Sequence, residues 1–201
     1  MPLPKIIQSQ QNALANYDYF DIAEGTGMQL FYAAATGNAT TGYILTGNQV
    51  YSTSVETFHS SLDVNNFDTF VFNTPKIVGG TALVTFSICI SGAYSSAFEF
   101  TTSVQKWDGS TATTLGTAST GIGSGADLSK RTYLIQIPIT KTAFKAGEML
   151  RLSLSGAVAG ASYYYFGWDP MNRDGTFILP STDNPATTTQ LKVWVPFVLD
   201  L

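Results

Sequence analysis

The chain has 201 residues, of which 44% are hydrophobic, so a folded domain with its own core is expected rather than a disordered chain. Only 12% of the residues are charged and the net charge is −4, against about 25% charged residues in a typical soluble domain. The densest basic spot is Lys130-Arg131, which excludes a nucleic-acid-binding surface. No apolar run approaches the roughly 18 residues of a membrane-spanning helix, so neither nucleic acid nor membrane is predicted as a partner.

The first 20 residues are predicted to be an N-terminal arm, followed by one domain over residues 21–201. The arm lacks the basic start, long apolar stretch and cleavage site of a secretory signal. Its segment from Gln8 to Asn16 is polar and uncharged. Two interpretations stay open, namely a frayed terminus or an arm that becomes ordered against a partner subunit.

From Ile22 onward the chain alternates short apolar stretches with turn residues, which is typical of a β-sandwich. The clearest strand runs from Thr81 to Ile90, because Ala82, Val84, Phe86 and Ile88 recur with a period of two. The other strands predicted in the first half of the chain are Met28 to Ala33, Tyr43 to Leu45, Val50 to Phe58, and Phe67 to Phe72.

The second half continues the same pattern, and no stretch has a helical period with caps. The predicted strands are Phe98 to Trp107, Tyr133 to Ile139, Met149 to Leu154, Ser162 to Trp168, and Leu191 to Leu201. Asp108-Gly109 predicts a tight turn, whereas 116–129 and 169–189 are predicted to be loops. Pro196 indicates an edge or a bulge in the last strand, which we expect to be paired within a sheet. The predicted fold is an all-β, antiparallel jelly roll or β-sandwich.

Two segments carry a likeness to a known family. Phe72 to Val84 contains a proline turn, a glycine pair and an alternating strand, and Tyr133 to Leu152 contains two strands around Lys145-Ala146-Gly147-Glu148. Both segments resemble the C-terminal jelly-roll domain of the X-Pro dipeptidyl-peptidase and cocaine-esterase family. In that family the catalytic residues lie in a separate α/β-hydrolase domain, so the resemblance implies a fold and no catalytic residue within these 201 positions.

A second likeness is to structural proteins of tailed bacteriophages. It is carried by Tyr19 to Gly27, by Gln190 to Leu201 and by the intervening jelly roll. This resemblance implies a virion component, a capsid decoration (cement) protein assembled in the host cytoplasm. Its expected partners are copies of itself, with a trimer as the first expectation, and the major capsid protein or other virion proteins.

The residues offer little catalytic chemistry. His59 is the one histidine and Cys89 the one cysteine, so neither a Ser-His-Asp triad nor a zinc site can be assembled, and Cys89 is expected to pack in a strand. Gly121 to Gly125 lacks the helix and lysine of a phosphate loop. The oxygen-rich segment from Asp169 to Gly175 does not match calcium-loop spacing and is better explained by turns. No enzyme activity, cofactor or metal is predicted.

The most distinctive candidate contact is the aromatic stretch from Tyr163 to Trp168. In a strand, Tyr164, Phe166 and Trp168 would share one face and Tyr163 and Tyr165 the other. One set must be core, and the other could contact a sugar or a partner subunit, because aromatic residues are enriched in both kinds of site.

Three hypotheses follow. The first is a non-enzymatic virion structural protein that oligomerises, with Tyr164, Phe166 and Trp168 as the candidate contact. The alternative is a carbohydrate-binding module or a receptor-binding or tail component. An accessory domain related to those of serine hydrolases ranks third.

Overall fold

Eleven β-strands occupy most of the residues described in a computed structural model of the chain, namely 27–35, 43–48, 56–58, 64–91, 98–122, 130–157, 163–169 and 190–198. The all-β prediction is confirmed. The strands are β1 (Gly27–Ala35), β2 (Tyr43–Thr46), β3 (Glu56–Phe58), β4 (Val64–Asp68), β5 (Lys76–Ser91), β6 (Phe98–Trp107), β7 (Ala112–Ile122), β8 (Lys130–Phe144), β9 (Met149–Ala157), β10 (Tyr163–Asp169) and β11 (Lys192–Val198). The predicted arm and residues 170–189 lie outside the described ranges.

The strands form one mixed sheet in the order β3-β10-β5-β11-β1-β2-β4-β9-β6-β7, with β8 on the other edge of β5. The pairs are antiparallel, as predicted, except that β2 and β4 join in parallel at a single pair, Ile44 opposite Asp68. The sheet doubles back on itself into two layers. The evidence is that Phe86 in β5 and Phe100 in β6, which are far apart in the strand order, have ring centroids only 4.7 Å apart. One layer contains β8-β5-β11-β1 and the other β4-β9-β6-β7.

Alternating residues from both layers meet in a single hydrophobic core. Among the described side chains, the rows of β5, β8, β9 and β11 that the period-two pattern predicted point inward and are buried, except that Tyr133 is partly buried. Phe67 of β4 and Phe100 of β6 are completely buried between the layers. Burial of this many apolar side chains is the main force that holds the two layers together.

The register beside Pro196 is irregular, but the extra residues lie in β5 and not in β11. Three steps along β11, from Trp194 to Phe197, match five along β5, from Leu83 to Val78. Gly80 lies in this part of β5 next to Pro196, and its φ of +125° suits glycine. The bulge prediction is wrong for β11 itself, which pairs with β1 without a shift. The edge prediction is wrong, because β11 pairs with β1 on one side and β5 on the other.

The strand β7 is where the predicted loop at 116–129 is wrong over residues 116–122. A tight hairpin turn at Asp108-Gly109, as predicted, returns the chain along β6, and Gly109 has a φ of +97°. The segment Ala112–Ile122 contains mainly threonine, alanine, serine and glycine, so it shows no apolar alternation. Leu115 is an extra residue between the pairs that Gly116 and Thr114 form with β6, and this bulge turns Leu115 into the core.

The strand predicted from Phe67 to Phe72 ends early, at Asp68. Thr69 instead donates its N–H to the Leu150 carbonyl of β9, and Phe72 bonds with the turn between β8 and β9. The Phe72 N–H donates to the Glu148 carbonyl over 2.9 Å, and the Gly147 N–H donates to the Phe72 carbonyl over 2.8 Å. Phe72 packs edge-on against Phe144, with ring centroids 5.3 Å apart. A period-two pattern in the sequence cannot predict pairing with a turn that is distant in the chain.

Gly116→Ala tests how closely β7 approaches β8. A β-carbon at Gly116 would overlap the Pro138 carbonyl oxygen, whereas one at Gly121 of the same strand would meet nothing within 4 Å. We expect Gly116→Ala to lower the free energy of unfolding by about 1–3 kcal/mol in urea denaturation. Gly121→Ala is the matched control and should change it by less than about 1 kcal/mol. Equal effects of the two substitutions would contradict the close approach.

Candidate functional site

The outward side of the β8-β5-β11-β1 layer carries several large apolar side chains among its polar ones. Leu30 of β1 lies opposite Trp194 of β11, and Trp194 lies opposite Leu83 of β5. All three side chains are half-buried. We call this surface the apolar face. Its members are Met28, Leu30 and Tyr32 of β1, Trp194 and Pro196 of β11, Leu83 of β5, and Leu134 and Pro138 of β8, with Thr81, Thr85, Gln136 and Lys192 between them.

Two side chains of the apolar face protrude into solvent at opposite corners. Leu134 is 59% exposed on β8, and Met28 is 44% exposed on β1. The charge on this face is the Lys192 ammonium, which lies 5.5 Å from the centre of the Tyr32 ring in a cation–π geometry. Beyond Thr85 the same side of β5 and β8 becomes polar, with Ser87 and Thr132 oxygens 2.9 Å apart. The exposed apolar side chains of the face suit contact with another protein surface.

The outward side of the β4-β9-β6-β7 layer has the opposite chemistry. Short hydroxyl side chains pair across the strands, with Ser103 and Thr117 oxygens 2.9 Å apart and those of Thr101 and Ser119 3.0 Å apart. We call this surface the hydroxyl face. Its members are Asn66, Thr101, Ser103, Thr117, Ser119, Ser153 and Ser155. Threonine and serine favour a half-exposed pleated surface, so this face is compatible with permanent contact with water.

One end of the hydroxyl face is fixed by a charged and aromatic cluster. The Arg151 guanidinium on β9 donates two hydrogen bonds to the Asp68 carboxylate on β4, over 2.6 and 2.7 Å. Its central carbon lies 3.9 Å from the centre of the Trp107 ring on β6. This forked geometry is specific to arginine. The cluster ties three neighbouring strands together and leaves neither charge without a partner.

A second ion pair closes the same end of the sandwich. Glu148 Oε2 accepts a hydrogen bond from the Lys145 N–H over 2.7 Å and lies 3.0 Å from Lys106 Nζ. The backbone hydrogen bond from Lys145 is the main cause that lowers the pKa of Glu148, and Lys106 adds to it. The adjoining segment presents Phe70, which is 70% exposed.

The aromatic candidates Tyr164, Phe166 and Trp168 lie on β10, whose backbone is described and whose side chains are not. Tyr164 and Phe166 are in register with Ile90 and Ile88 of β5. Trp168 is an extra residue, because Gly167 pairs with Thr57 and the next pair joins Asp169 to Glu56. The strict alternation that grouped the three residues is therefore interrupted at Trp168, and their contact role remains a prediction.

Other sequence-predicted sites fall partly or wholly outside the description. Cys89 lies on β5, as expected for a strand residue, and His59 is not described. Asp169 ends β10, and the rest of the oxygen-rich segment is not described. In the part of the chain that is described, no three histidine, cysteine or acidic side chains lie close enough to hold a metal ion. The same part contains no helix long and apolar enough to cross a membrane.

Sequence reasoning missed the apolar face although a signal for it was present. The last strand has the sequence Lys-Val-Trp-Val-Pro-Phe-Val. The apolar Trp194 lies between the inward residues Val193 and Val195, at a position where an outward polar residue is expected. Leu83 does the same between Ala82 and Val84 in β5. A strand that is apolar at consecutive positions is typical of one covered on both faces.

Comparison with known proteins supports the fold and no closer relationship. No family model matches the chain, and no curated protein sequence matches it. Among solved structures, an α-amino acid ester hydrolase matches with a TM-score of 0.58 at 10% identity over 85% of this chain. A CocE/NonD family hydrolase from Staphylococcus aureus gives 0.57 at 9% identity over 87% of this chain, and an aminopeptidase from a marine sediment archaeon (Thaumarchaeota) gives 0.56 at 9% over 84%.

The chain spans only 36% and 37% of the lengths of these hydrolases. The similarity to the β domain of CocE-type hydrolases confirms the fold that Phe72 to Val84 and Tyr133 to Leu152 predicted. At 9–10% identity it extends to the fold alone. The predicted resemblance to bacteriophage structural proteins has no counterpart among these matches and stays a prediction.

Glu148→Gln tests the ion pair by its pH dependence. The pKa of Glu148 in the folded chain lies below its ordinary value of 4.5, so its charge stabilises the fold above that pH and the contribution is lost as pH falls through the folded pKa. We expect the variant to melt at a lower temperature than the parent at pH 7, with a difference that closes as the pH falls below 4.5.

Glu99→Gln is the control for this experiment, because Glu99 is an exposed carboxylate of β6. Its melting temperature should follow that of the parent across the pH range. A Glu148→Gln difference that stayed constant down to about pH 3 would show that the lost charge is not what stabilises this turn.

Proposed function

We propose that this chain is a non-enzymatic structural protein of a larger particle, and specifically a capsid decoration (cement) protein of a virion. The observation that carries the proposal is the apolar face, where Leu30, Trp194 and Leu83 form a continuous outward row. Met28 and Leu134 of this face are exposed to water, at a cost that scales with their apolar area. Contact with other subunits of a particle removes that cost.

The low charge of the whole chain also supports a role in a larger particle. With 12% charged residues, few charges must be desolvated when several sides of the sandwich are covered at once. The Arg151–Asp68 and Lys106–Glu148 pairs already neutralise their own charges. A protein that binds the assembled shell and not the free subunits stabilises the shell by mass action, and repeated copies add weak contacts through avidity.

Mass spectrometry of purified virus particles tests this proposal. Peptides of this chain should be recovered from the particle fraction in many copies, in a fixed ratio to the capsid protein. Particles that lack this chain should dissociate at a lower temperature, because a stabilising ligand of the shell is missing. Recovery of the chain in the soluble fraction alone would refute the proposal.

A second candidate function, carbohydrate binding, is favoured by the hydroxyl face. Neutral hydroxyl groups held by cross-strand pairing, such as Ser103 with Thr117, lose little side-chain entropy when they bind a polyhydroxylated ligand. Trp107 lies at the end of this face beneath Arg151 and offers a fluorescent reporter.

A glycan array with the whole chain tests this second candidate. Binding should be lost in Ser103→Lys, which places a long charged side chain among the hydroxyl groups, and retained in Thr85→Lys on the apolar face. No response to any glycan, or equal loss in both variants, would remove carbohydrate binding by the hydroxyl face.

A further inference from the structure

We infer that the segment from Tyr17 to Glu24, which we call the acidic segment, folds back across the end of its own sandwich at which it joins the domain. The acidic segment lies outside the described ranges, but the described residues around its point of attachment define a site for it. The contact belongs to the free chain, so it does not depend on the proposed role in a particle.

The chain that precedes β1 joins the domain at a known place. β1 begins at Gly27, which is paired with Phe197, and the Phe197 ring centroid lies 6.0 Å from that of Phe72. Phe72 also packs against Phe144, which pairs with Lys76 and precedes the turn at Lys145. We call this part of the sandwich the attachment end. Its members are Met28, Phe70, Val71, Lys76 and Lys145.

Exposed apolar side chains are concentrated at the attachment end. Four large apolar side chains are exposed in the described ranges, and three of them, Met28, Phe70 and Val71, lie here. The fourth, Leu134, lies toward the other end of β8, ten residues from Phe144. Phe70 and Val71 are consecutive and 70% and 49% exposed, so a cover over this end would remove apolar area from water.

The charges at the attachment end complement those of the acidic segment. The segment carries the carboxylates of Asp18, Asp21 and Glu24 and no basic residue. Lys145 is exposed at the attachment end, and the Glu148 carboxylate beside it is paired with Lys106. Exposed ion pairs add little affinity individually. We therefore expect the apolar contact to supply most of the binding and the charges to orient the segment.

The acidic segment has the composition and the reach that this contact requires. Between its carboxylates it carries Tyr17, Tyr19, Phe20 and Ile22, which are suitable partners for exposed apolar side chains. Phe70 is at most about 7 Å along the chain from Phe72, and residues 17–26 can span up to about 35 Å. Because the segment is tethered beside its site, its effective concentration there favours its own domain over another copy.

Limited digestion of the full chain with chymotrypsin tests the contact. This protease cuts after aromatic residues, and the rate of cutting follows the fraction of time that the segment is undocked. Cleavage after Tyr17, Tyr19 and Phe20 should become about tenfold faster in Phe70→Ser with Val71→Ser, which removes the apolar site. Both substituted positions are exposed, so the fold should tolerate the change.

A second variant removes the charges without altering the domain. Asp18→Asn with Asp21→Asn and Glu24→Gln should accelerate the same cleavages about threefold, because the ion pairs contribute less than the apolar contact. Leu134→Ser is the matched control, since it removes an exposed apolar side chain away from the attachment end. It should be cleaved like the parent. Equal cleavage rates in all four proteins, or equal acceleration by Leu134→Ser, would overturn the docking.

Carbodiimide cross-linking of carboxylates to lysines, in a mixture of isotopically light and heavy chains, identifies the occupant. Lys145 should link to the acidic segment within one chain, and Lys192 at the other end of β11 should not. Links between light and heavy chains would assign the site to the arm of a second copy, and links from Lys145 to Asp200 would assign it to the C-terminal residues. Either result would overturn the inference and would leave the proposed function, which is tested on particles, unaffected.

Discussion

The strand β5 is the constraint on which the rest of the structure depends, because it is paired along both edges and its inward row lies at the centre of the core. β8 lies along one edge, and β11 and then β10 lie along the other. Its inward row, Ala82, Val84, Phe86 and Ile88, is completely buried. Since a shift of one residue would exchange the two faces, the register of β5 fixes which side chains of its neighbours enter the core and which form the apolar face.

Bulges interrupt the regular pairing at two places, in β5 and in β7. Gly80 and Pro196 meet where β5 and β11 change register, and Leu115 leaves the ladder of β6 and β7 to enter the core. The second layer is then held by contacts of another kind, the Asp68–Arg151–Trp107 cluster and the Lys106–Glu148 pair. The two layers thus differ in what they present outward, a mixture of large apolar and polar side chains on one and mainly hydroxyl groups on the other.

The sequence predicted a strand correctly where that strand has one row of buried apolar residues. Thr81 to Ile90 and Tyr133 to Ile139 alternate strictly, and both were located correctly, although β5 and β8 extend further. β7 escaped prediction because its partners are hydroxyl groups on β6 and its one inward leucine sits on a bulge. The apolar face escaped because it is assembled from four strands far apart in the chain, and the pairing order of strands is a tertiary property.

The central claim is that this chain is a structural component of a particle and contacts it through its apolar face. Hydroxyl-radical footprinting of the folded chain, free and within purified particles, tests it residue by residue. The account predicts slower oxidation of Met28, Leu134 and Trp194 in the particle, with unchanged oxidation of Trp107 at the end of the hydroxyl face. Equal oxidation of Met28, Leu134 and Trp194 in the two states, or slower oxidation of Trp107 alone, would contradict it.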